Sequence, residues 1–302
     1  MACSGAPALI LDASASFDAV ATQMVGPASA AIGKLGTIEF QIAYYRWMTR
    51  KQSPPPLVPE AYLLPLCRNA GMFPPTQETA TAMADLLLRS VMELTAVSPW
   101  WKPQEEFGLY SVFNRTATKI ALQSLECFLS PNPHHWWTAQ LPVGTRVLVI
   151  SPFSSTIEQQ VTKLDNIWRS RPGLWAQGLQ FKCIPFPLSF GTQSSEGQAS
   201  MLTKYGDSFG LLAAVQAQMD ATEYDVAIVG VGIHSLPLVA HAKRQGKRAI
   251  HTGGGTQIYF GIRGGRWDTM AEFQPFFNEH WVRPSAEERP PGATAVEGGC
   301  YW

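Results

Sequence analysis

The stretch from Tyr224 to Gly255 (YDVAIVGVGIHSLPLVAHAKRQGKRAIHTGGG) constrains the fold more than any other part of the chain. A short branched apolar run leads through a glycine-containing turn into an amphipathic segment that ends at Gly246. A second apolar run and three glycines follow. This order is typical of a strand–helix–strand unit with parallel strands. Because open α/β sheets bind ligands at the carboxyl ends of their strands, both glycine-containing turns are predicted to border a ligand site.

The rest of the chain divides into two portions. Residues 1–142 are predicted to be mainly helical and to carry the KLGTIE segment. In residues 143–302, strands alternate with helices before an extended C-terminal tail. Such alternation favours a parallel sheet with right-handed crossovers. We therefore predict an α/β fold, a Rossmann-like parallel sheet with helices on both faces and a mainly helical N-terminal portion.

Individual elements follow from apolar runs and from glycine and proline. Arg146–Ile150 and Phe181–Ile184 are predicted strands, and Ser155 with Glu158 is predicted to form a capping box. A loop over Pro185–Gly197 and a helix near Met201–Met219 are expected next. In the N-terminal portion the pattern predicts a short strand within Ala31–Gly36, with Thr37 as the N-cap of the following helix. It also predicts a helix after Pro75 and another over Thr116–Leu129.

Composition narrows the class of protein. Lys+Arg 23 balances Asp+Glu 23, so net charge gives no case for binding nucleic acid or an anionic membrane. No segment approaches the roughly 18 apolar residues of a membrane span. The five cysteines are scattered and odd in number, which favours free thiols in a reducing compartment and hence a cytoplasmic location.

The first glycine turn departs from the dinucleotide fingerprint G-x-G-x-x-G. Gly230 and Gly232 match its first two glycines, but Ser235 occupies the third position. His251 stands where an acid would hold a ribose. A conventional NAD site is therefore not expected. The remaining interpretations are a turn that holds an anionic group such as a diphosphate, and glycines that only permit a tight turn.

Polar residues next to the predicted strand ends are the candidate catalytic and binding groups. His234 and His251 follow successive strands and could act as acid/base groups or as phosphate ligands. Gly253 and Gly254 would allow a ligand to approach the backbone. The turn that begins at Ser151 repeats the same strand–turn–helix pattern and is predicted to line the same crevice. The alternatives are a histidine that is merely hydrogen-bonded and a likeness common to any two such units.

A second constellation lies about two hundred residues upstream. In Lys34-Leu35-Gly36-Thr37-Ile38-Glu39, Lys34 could contact a phosphate and Thr37 could cap a helix whose N-terminus faces the ligand. Glu39 could hold a cation or a sugar hydroxyl. The alternative is that Glu39, in the first helical turn, only complements the helix dipole.

Taken together, Lys34–Glu39 and Val226–Gly254 resemble the two signature segments of GT-D-type glycosyltransferases, an R-[FY]-G-D-G-E segment and a strand–GxG–helix–strand unit. The resemblance implies sugar transfer from a nucleotide diphosphate donor to a hydroxyl of a glycan or other acceptor. It also implies a D-x-E element associated with Mn²⁺ or Mg²⁺. Thr37 replaces the first acid of that element, so Glu39 is left as the candidate metal ligand. Lys34, His234 or Arg263 could instead neutralise the leaving diphosphate.

The resulting expectation is a glycosyltransferase-like enzyme. Glu39 would orient the donor or a metal, His251 would take the acceptor proton, and Trp267 or Trp281 would stack on a sugar or base. The residues expected to bind the donor are Lys34, Gly36, Thr37, Ser151, Gly230, Gly232, His234, Gly253 and Gly254. Two alternatives stay open: another nucleotide-cofactor enzyme, such as an S-adenosylmethionine-dependent transferase, and an α/β binding protein without turnover.

Overall fold

A seven-stranded sheet, parallel throughout, organises the protein, whose computed structural model describes residues 10–188 and 195–302. The strand order is β3-β2-β1-β7-β6-β4-β5. The strands are β1 Ala30–Gly33, β2 Ala96–Val97, β3 Thr118–Lys119, β4 Arg146–Ser151, β5 Gln180–Pro185, β6 Val226–Val229 and β7 Arg248–His251. Helices cover both faces of this sheet, which confirms the predicted α/β, Rossmann-like fold.

Twelve α-helices within the described ranges surround the sheet. They are α1 Ala13–Val25, α2 Thr37–Thr49, α3 Leu63–Ala70, α4 Gln77–Glu93, α5 Pro103–Phe113, α6 Ser154–Gln160, α7 Leu164–Ile167, α8 Ser195–Tyr205, α9 Ser208–Asp220, α10 Ser235–Arg244, α11 Gly255–Tyr259 and α12 Gly265–Asp268. Short 3₁₀ turns connect several of them, including Leu122–Leu125, Cys127–Leu129 and Gly232–His234. In this part of the chain no helix is long and apolar enough to cross a membrane.

The central strands are continuous apolar runs because both of their faces are buried. In β4, Leu148 and Ile150 pack on one face of the sheet, whereas Val147 and Val149 pack on the other. The first face is covered by α2, α4, α5, α9 and α10. Aromatic side chains dominate the second face, where α1, α6, α11 and the residues after α12 pack.

The crossovers place a switch point between β4 and β6. From β4 the chain crosses through α6 to β5, and from β6 it crosses through α10 to β7, in the opposite direction along the sheet. The two helices accordingly lie on opposite faces, as right-handed crossovers require. Neighbouring strands whose connections diverge leave a crevice at their carboxyl ends, where ligands bind in folds of this kind.

The N-terminal portion contributes its three strands to this same sheet. β1 pairs in parallel with β7, with Ile32 opposite Ile250, and β2 and β3 extend the sheet beyond β1. The segment that follows β1 is thereby brought to the carboxyl end of β7.

Several local predictions were wrong in ways that have a physical cause. Gly36, not Thr37, is the N-cap of α2, and Thr37 is its first residue. The predicted helix over Thr116–Leu129 is instead β3 followed by two 3₁₀ turns. α6 begins at Ser154, so Ser155 and Glu158 form no capping box. Glu288, from the C-terminal tail, accepts the Thr156 backbone N–H at 3.1 Å and so satisfies a donor of the first turn.

Of the remaining local predictions, the strand–helix–strand unit is confirmed and the segment before it is confirmed only in part. The β6–α10–β7 unit lies where Tyr224–Gly255 predicted it, and α10 is closed by Gly246 at φ +75°. The helix predicted near Met201–Met219 is two helices, α8 and α9. Residues 189–194 of the predicted loop Pro185–Gly197 lie outside the described residues, and residues 195–197 belong to α8 and not to a loop.

Candidate functional site

A cavity of about 940 Å³ lies at the carboxyl ends of β1, β4, β6 and β7. The two segments singled out in the sequence meet there, although about two hundred residues separate them. Ten of the predicted site residues line this cavity: Lys34, Gly36, Thr37, Glu39, Ser151, Gly230, Gly232, His251, Gly253 and Gly254.

His234 is the predicted site residue that does not line the cavity. Its side chain is fully buried and packs against Phe186, with ring centroids 5.2 Å apart. Burial lowers the pKa of His234 to about 4, so the imidazole is neutral near pH 7. The structure thus places His234 in the packing of the first face, outside the lining of the cavity.

Gly36 and Glu39 form one local unit at the start of α2. The Glu39 carboxylate folds back over Gly36, so that a Cβ at position 36 would clash with it. Glu39 is the third residue of the helix, and an acid there can accept backbone N–H groups at the N-terminus. Burial raises the pKa of Glu39, while its own backbone N–H and Lys34 oppose the shift. Glu39 therefore caps its helix and at the same time faces the cavity.

Lys34 is held in the cavity by an aromatic platform. Its Nζ lies 4.3 Å from the centre of the Trp100 ring, and the Trp100 indole N–H donates to the Leu35 carbonyl at 2.8 Å. The loop that carries Trp100 is fixed by Glu106, which accepts the backbone N–H groups of residues 100–102 at 2.8–3.1 Å. Burial lowers the pKa of Lys34, and Glu39, Glu126 and Glu106 oppose that shift.

His251 lies deep at the end of β7. Its Nδ1 is 3.2 Å from the backbone nitrogen of Gly253 and 3.3 Å from the carbonyl oxygen of Val229. Burial, with Lys34 as the second cause, lowers the pKa of His251 to about 3. An imidazole of that pKa is a weak general base at neutral pH, because effective bases titrate near the working pH.

Contacts within the protein leave no room for a side chain at glycines in both turns. A Cβ at Gly230 would clash with Thr256 and with the carbonyl of Gly253. Gly232 adopts φ +59° and lies against the carbonyl of Ala70 in α3. A Cβ at Gly254 would lie 2.9 Å from the ring of Tyr301 in the C-terminal tail. The close approach at these glycines is thus made by the chain itself, while their backbone still borders the cavity.

Four charged residues of the cavity were not recognised in the sequence. They are Glu126, from the turn between the 3₁₀ segments, Arg266, from α12, and Glu272 and Glu297, which follow α12. Arg266 pairs with Glu297 and lies 5.0 Å from the Tyr301 ring. Arg263, named in the sequence as a possible cation, instead pairs with Asp268 at 3.0 Å. None of the four unrecognised residues belongs to a motif, so no local signal could have identified them.

The two tryptophans proposed for stacking have different positions. Trp267 lines the cavity beside Gly254, although its side chain is almost completely buried. Trp281 is part of the aromatic packing of the second face, where its indole N–H donates to the Ile167 carbonyl at 3.1 Å.

The side chains at Glu39 do not fit a divalent metal centre by themselves. Across residues 10–188 and 195–302, no group of three or more His, Cys, Asp or Glu side chains is arranged to hold a metal ion. A metal of the Mg²⁺ type needs several oxygen ligands, and the Glu39 carboxylate already lies against its own helix terminus. We therefore derive no catalytic step through a metal.

Comparisons with protein-family models, with curated proteins and with solved structures find no match to this chain. The fold and the cavity define an α/β protein with a ligand-sized cavity at the carboxyl edge of a parallel sheet.

Proposed function

We propose that this protein is a nucleotide-sugar-dependent glycosyltransferase, which transfers a sugar from a nucleotide diphosphate donor to an acceptor hydroxyl. The observation that carries the proposal is the convergence of Lys34–Glu39 with the glycine turns of β6 and β7 on one cavity. These are the two segments on which the resemblance to GT-D-type enzymes rests.

The size and lining of the cavity support a ligand of this class. Its volume of about 940 Å³ falls within the range of small-molecule and cofactor sites, roughly 300–1,000 Å³. Lys34 and Arg266 provide positive charge, and the switch point between β4 and β6 opens into the same space. An anionic diphosphate between these cations would favour the charged form of Lys34.

Within the proposal the residues have distinct tasks. Lys34 and Arg266 would bind the diphosphate and stabilise the charge that develops on it as the sugar leaves. Glu39 would accept a hydroxyl of the donor, and Trp267 would offer an aromatic edge to a sugar or base. A cytoplasmic location is part of the proposal, since Cys67, Cys127, Cys183 and Cys300 are all unpaired.

Ligand binding tests the proposal directly. Thermal shift and calorimetry would be measured with UDP, GDP, UDP-glucose, GDP-mannose, S-adenosylmethionine and NAD, each with and without Mn²⁺. We expect stabilisation by a uridine or guanosine diphosphate compound. Lys34→Met should weaken that binding about 10- to 150-fold, because a hydrogen bond to a charged group contributes about 1.5–3 kcal/mol.

A matched control separates the site from general charge effects. Lys182 is exposed on β5 and does not line the cavity, so Lys182→Met should leave binding unchanged. No response to any nucleotide would overturn the proposal. Nucleotide binding that survives intact in Lys34→Met would remove the cavity as its site, and a response to S-adenosylmethionine alone would favour the other transferase class.

A further inference from the structure

Glu126 lines the cavity from a turn whose backbone is hydrogen-bonded on both sides. It lies between the 3₁₀ turns Leu122–Leu125 and Cys127–Leu129, and the Tyr259 hydroxyl of α11 fixes both of its neighbours. That hydroxyl donates to the Leu125 carbonyl and accepts the Cys127 N–H, each at 2.9 Å. The backbone of Glu126 is therefore held rigidly to the helix that follows the second glycine turn.

The Glu126 carboxyl projects over Gly255. A Cβ at Gly255 would clash with this carboxyl, so the glycine gives it room at the edge of the cavity. The absence of a side chain at Gly255 thus leaves space for the carboxyl of a residue more than a hundred positions earlier in the chain.

The Glu126 carboxyl has no hydrogen-bond partner among the residues that the structure describes, whereas three other acids at or near the cavity are held by contacts of their own. The Glu39 carboxylate lies on its own helix terminus, Glu106 binds three backbone N–H groups, and Glu297 pairs with Arg266. The charged groups that act on Glu126 are Lys34 after β1, Arg266 in α12 and Glu272 after α12. The backbone at Glu126 is thus fixed, while its carboxyl oxygens are available to a ligand.

We propose that Glu126 is the catalytic base of the transfer reaction, in the place that sequence reasoning gave to His251. This inference rests on the proposed function. The acceptor O–H proton passes to a Glu126 carboxylate oxygen as the acceptor oxygen forms a bond to the anomeric carbon. The bond from that carbon to the diphosphate oxygen breaks, and the diphosphate leaves with the electron pair beside Lys34.

The ionisation of Glu126 suits this task, whereas that of His251 does not. Burial, with Glu272, raises the pKa of Glu126 to about 7 against the opposing effect of Lys34 and Arg266. A base that titrates near neutrality is largely ionised slightly above pH 7 and still holds a proton well once it has taken it. A bound diphosphate adds negative charge, so the pKa of Glu126 should be higher in the donor complex than in the free protein.

The first test needs no ligand. Carboxyl ¹³C resonances of glutamate-labelled protein would be followed from pH 4 to 9 in the wild type and in Glu126→Gln. We expect one resonance that titrates near pH 7 and is absent from the variant. If the resonance lost in Glu126→Gln titrates near pH 4, the carboxyl is an ordinary acid and the inference fails.

The second test measures turnover with UDP-glucose and GDP-mannose, with water or glycerol as the acceptor hydroxyl. Glu126→Gln should lower kcat by 10²–10⁴-fold, the usual contribution of a general base. Donor affinity should be retained near pH 6 and should rise above pH 7, where the substitution removes a negative charge from the cavity. In the wild type, kcat/KM should rise with pH through about 7, and the corresponding limb of kcat should lie at higher pH. Formate or azide should restore part of the activity of Glu126→Ala.

The outcomes separate this inference from the proposed function. Glu158→Gln, at an exposed position outside the cavity, is the control that should keep full activity. If the wild type binds and turns over a donor and Glu126→Gln does so equally well, the base is another group and the transferase proposal stands. If no nucleotide sugar binds, or if a bound donor is never turned over, the proposed function fails and the base fails with it.

Discussion

Replacing Glu126 by glutamine should stabilise the fold at neutral and alkaline pH, and much less at pH 5. Burial is the largest cause that raises the pKa of this carboxyl from 4.5 to about 7. The folded protein therefore holds the proton more tightly than the unfolded chain does. Stability falls as the pH rises between these two values, because the folded state must then give up a proton that it binds better. Glutamine has nearly the same shape and carries no charge to bury.

The magnitude follows from the two pKa values. Their difference corresponds to a maximum of about 3 kcal/mol at about 1.4 kcal/mol per unit. Because the side chain is only partly buried, solvent screening reduces this to about 2 kcal/mol. For a chain of this size 1 kcal/mol shifts Tm by roughly 2 °C, so Glu126→Gln should raise Tm by about 4 °C at pH 8.5. At pH 5 the gain should be under about 1 kcal/mol, since the folded wild type is then protonated.

The assay is urea and thermal unfolding of the wild type, Glu126→Gln and the exposed control Glu158→Gln at pH 5.0 and 8.5. The free energy of unfolding of Glu158→Gln, relative to that of the wild type, should be the same at the two pH values. A Glu126→Gln variant that is destabilised equally at both pH values would mean that the carboxylate makes favourable contacts when ionised. That result would refute the reasoning from burial.

Two further predictions concern the walls of the cavity. Gly232→Ala should lose about 3 kcal/mol or more of unfolding free energy in urea titration, because φ is +59° and the added methyl group meets the Ala70 carbonyl. Gly246→Ala has a similar φ of +75° but open space around the methyl group, so a loss of about 1–2 kcal/mol is expected and an equal loss would contradict the steric argument. Trp100→Ala should weaken calorimetric binding of UDP or GDP several-fold by releasing Lys34, whereas Trp100→Phe should keep most of the affinity. Unchanged affinity in Trp100→Ala would show that the ring does not position the ammonium group.

The architecture could be predicted from the sequence where its determinants are local. Buried parallel strands are short apolar runs, and β4 and β6 have no competing pattern within them. Gly246 ends α10 because its φ of +75° is unfavourable for other residues. The turns after β6 and β7 could likewise be assigned to the ligand edge, because parallel strands share their carboxyl edge.

Other features depend on contacts between distant residues and have no local signal. The first turn of α6 is satisfied by Glu288, which is 132 residues away. Glu126 was placed in a predicted helix, and only the packing of Tyr259 against its neighbours brings its carboxyl to the cavity. The burial that lowers the pKa of His251 is likewise a product of the whole fold.

The charges that line the cavity determine whether it can bind an anionic donor. Among the described residues, its lining contains four acids and two cations: Glu39, Glu126, Glu272 and Glu297, with Lys34 and Arg266. A diphosphate placed among four ionised carboxylates would be repelled, so the site can take an anionic donor only if some of these acids are paired or protonated. Glu297 is already paired with Arg266, and burial favours the protonated forms of Glu39 and Glu126. Burial raises the pKa of Glu126 to about 7, so the fraction of Glu126 that stays ionised in the donor complex can accept the acceptor proton and hold it. Because a bound diphosphate raises that pKa further, proton transfer should require a higher pH than donor binding does.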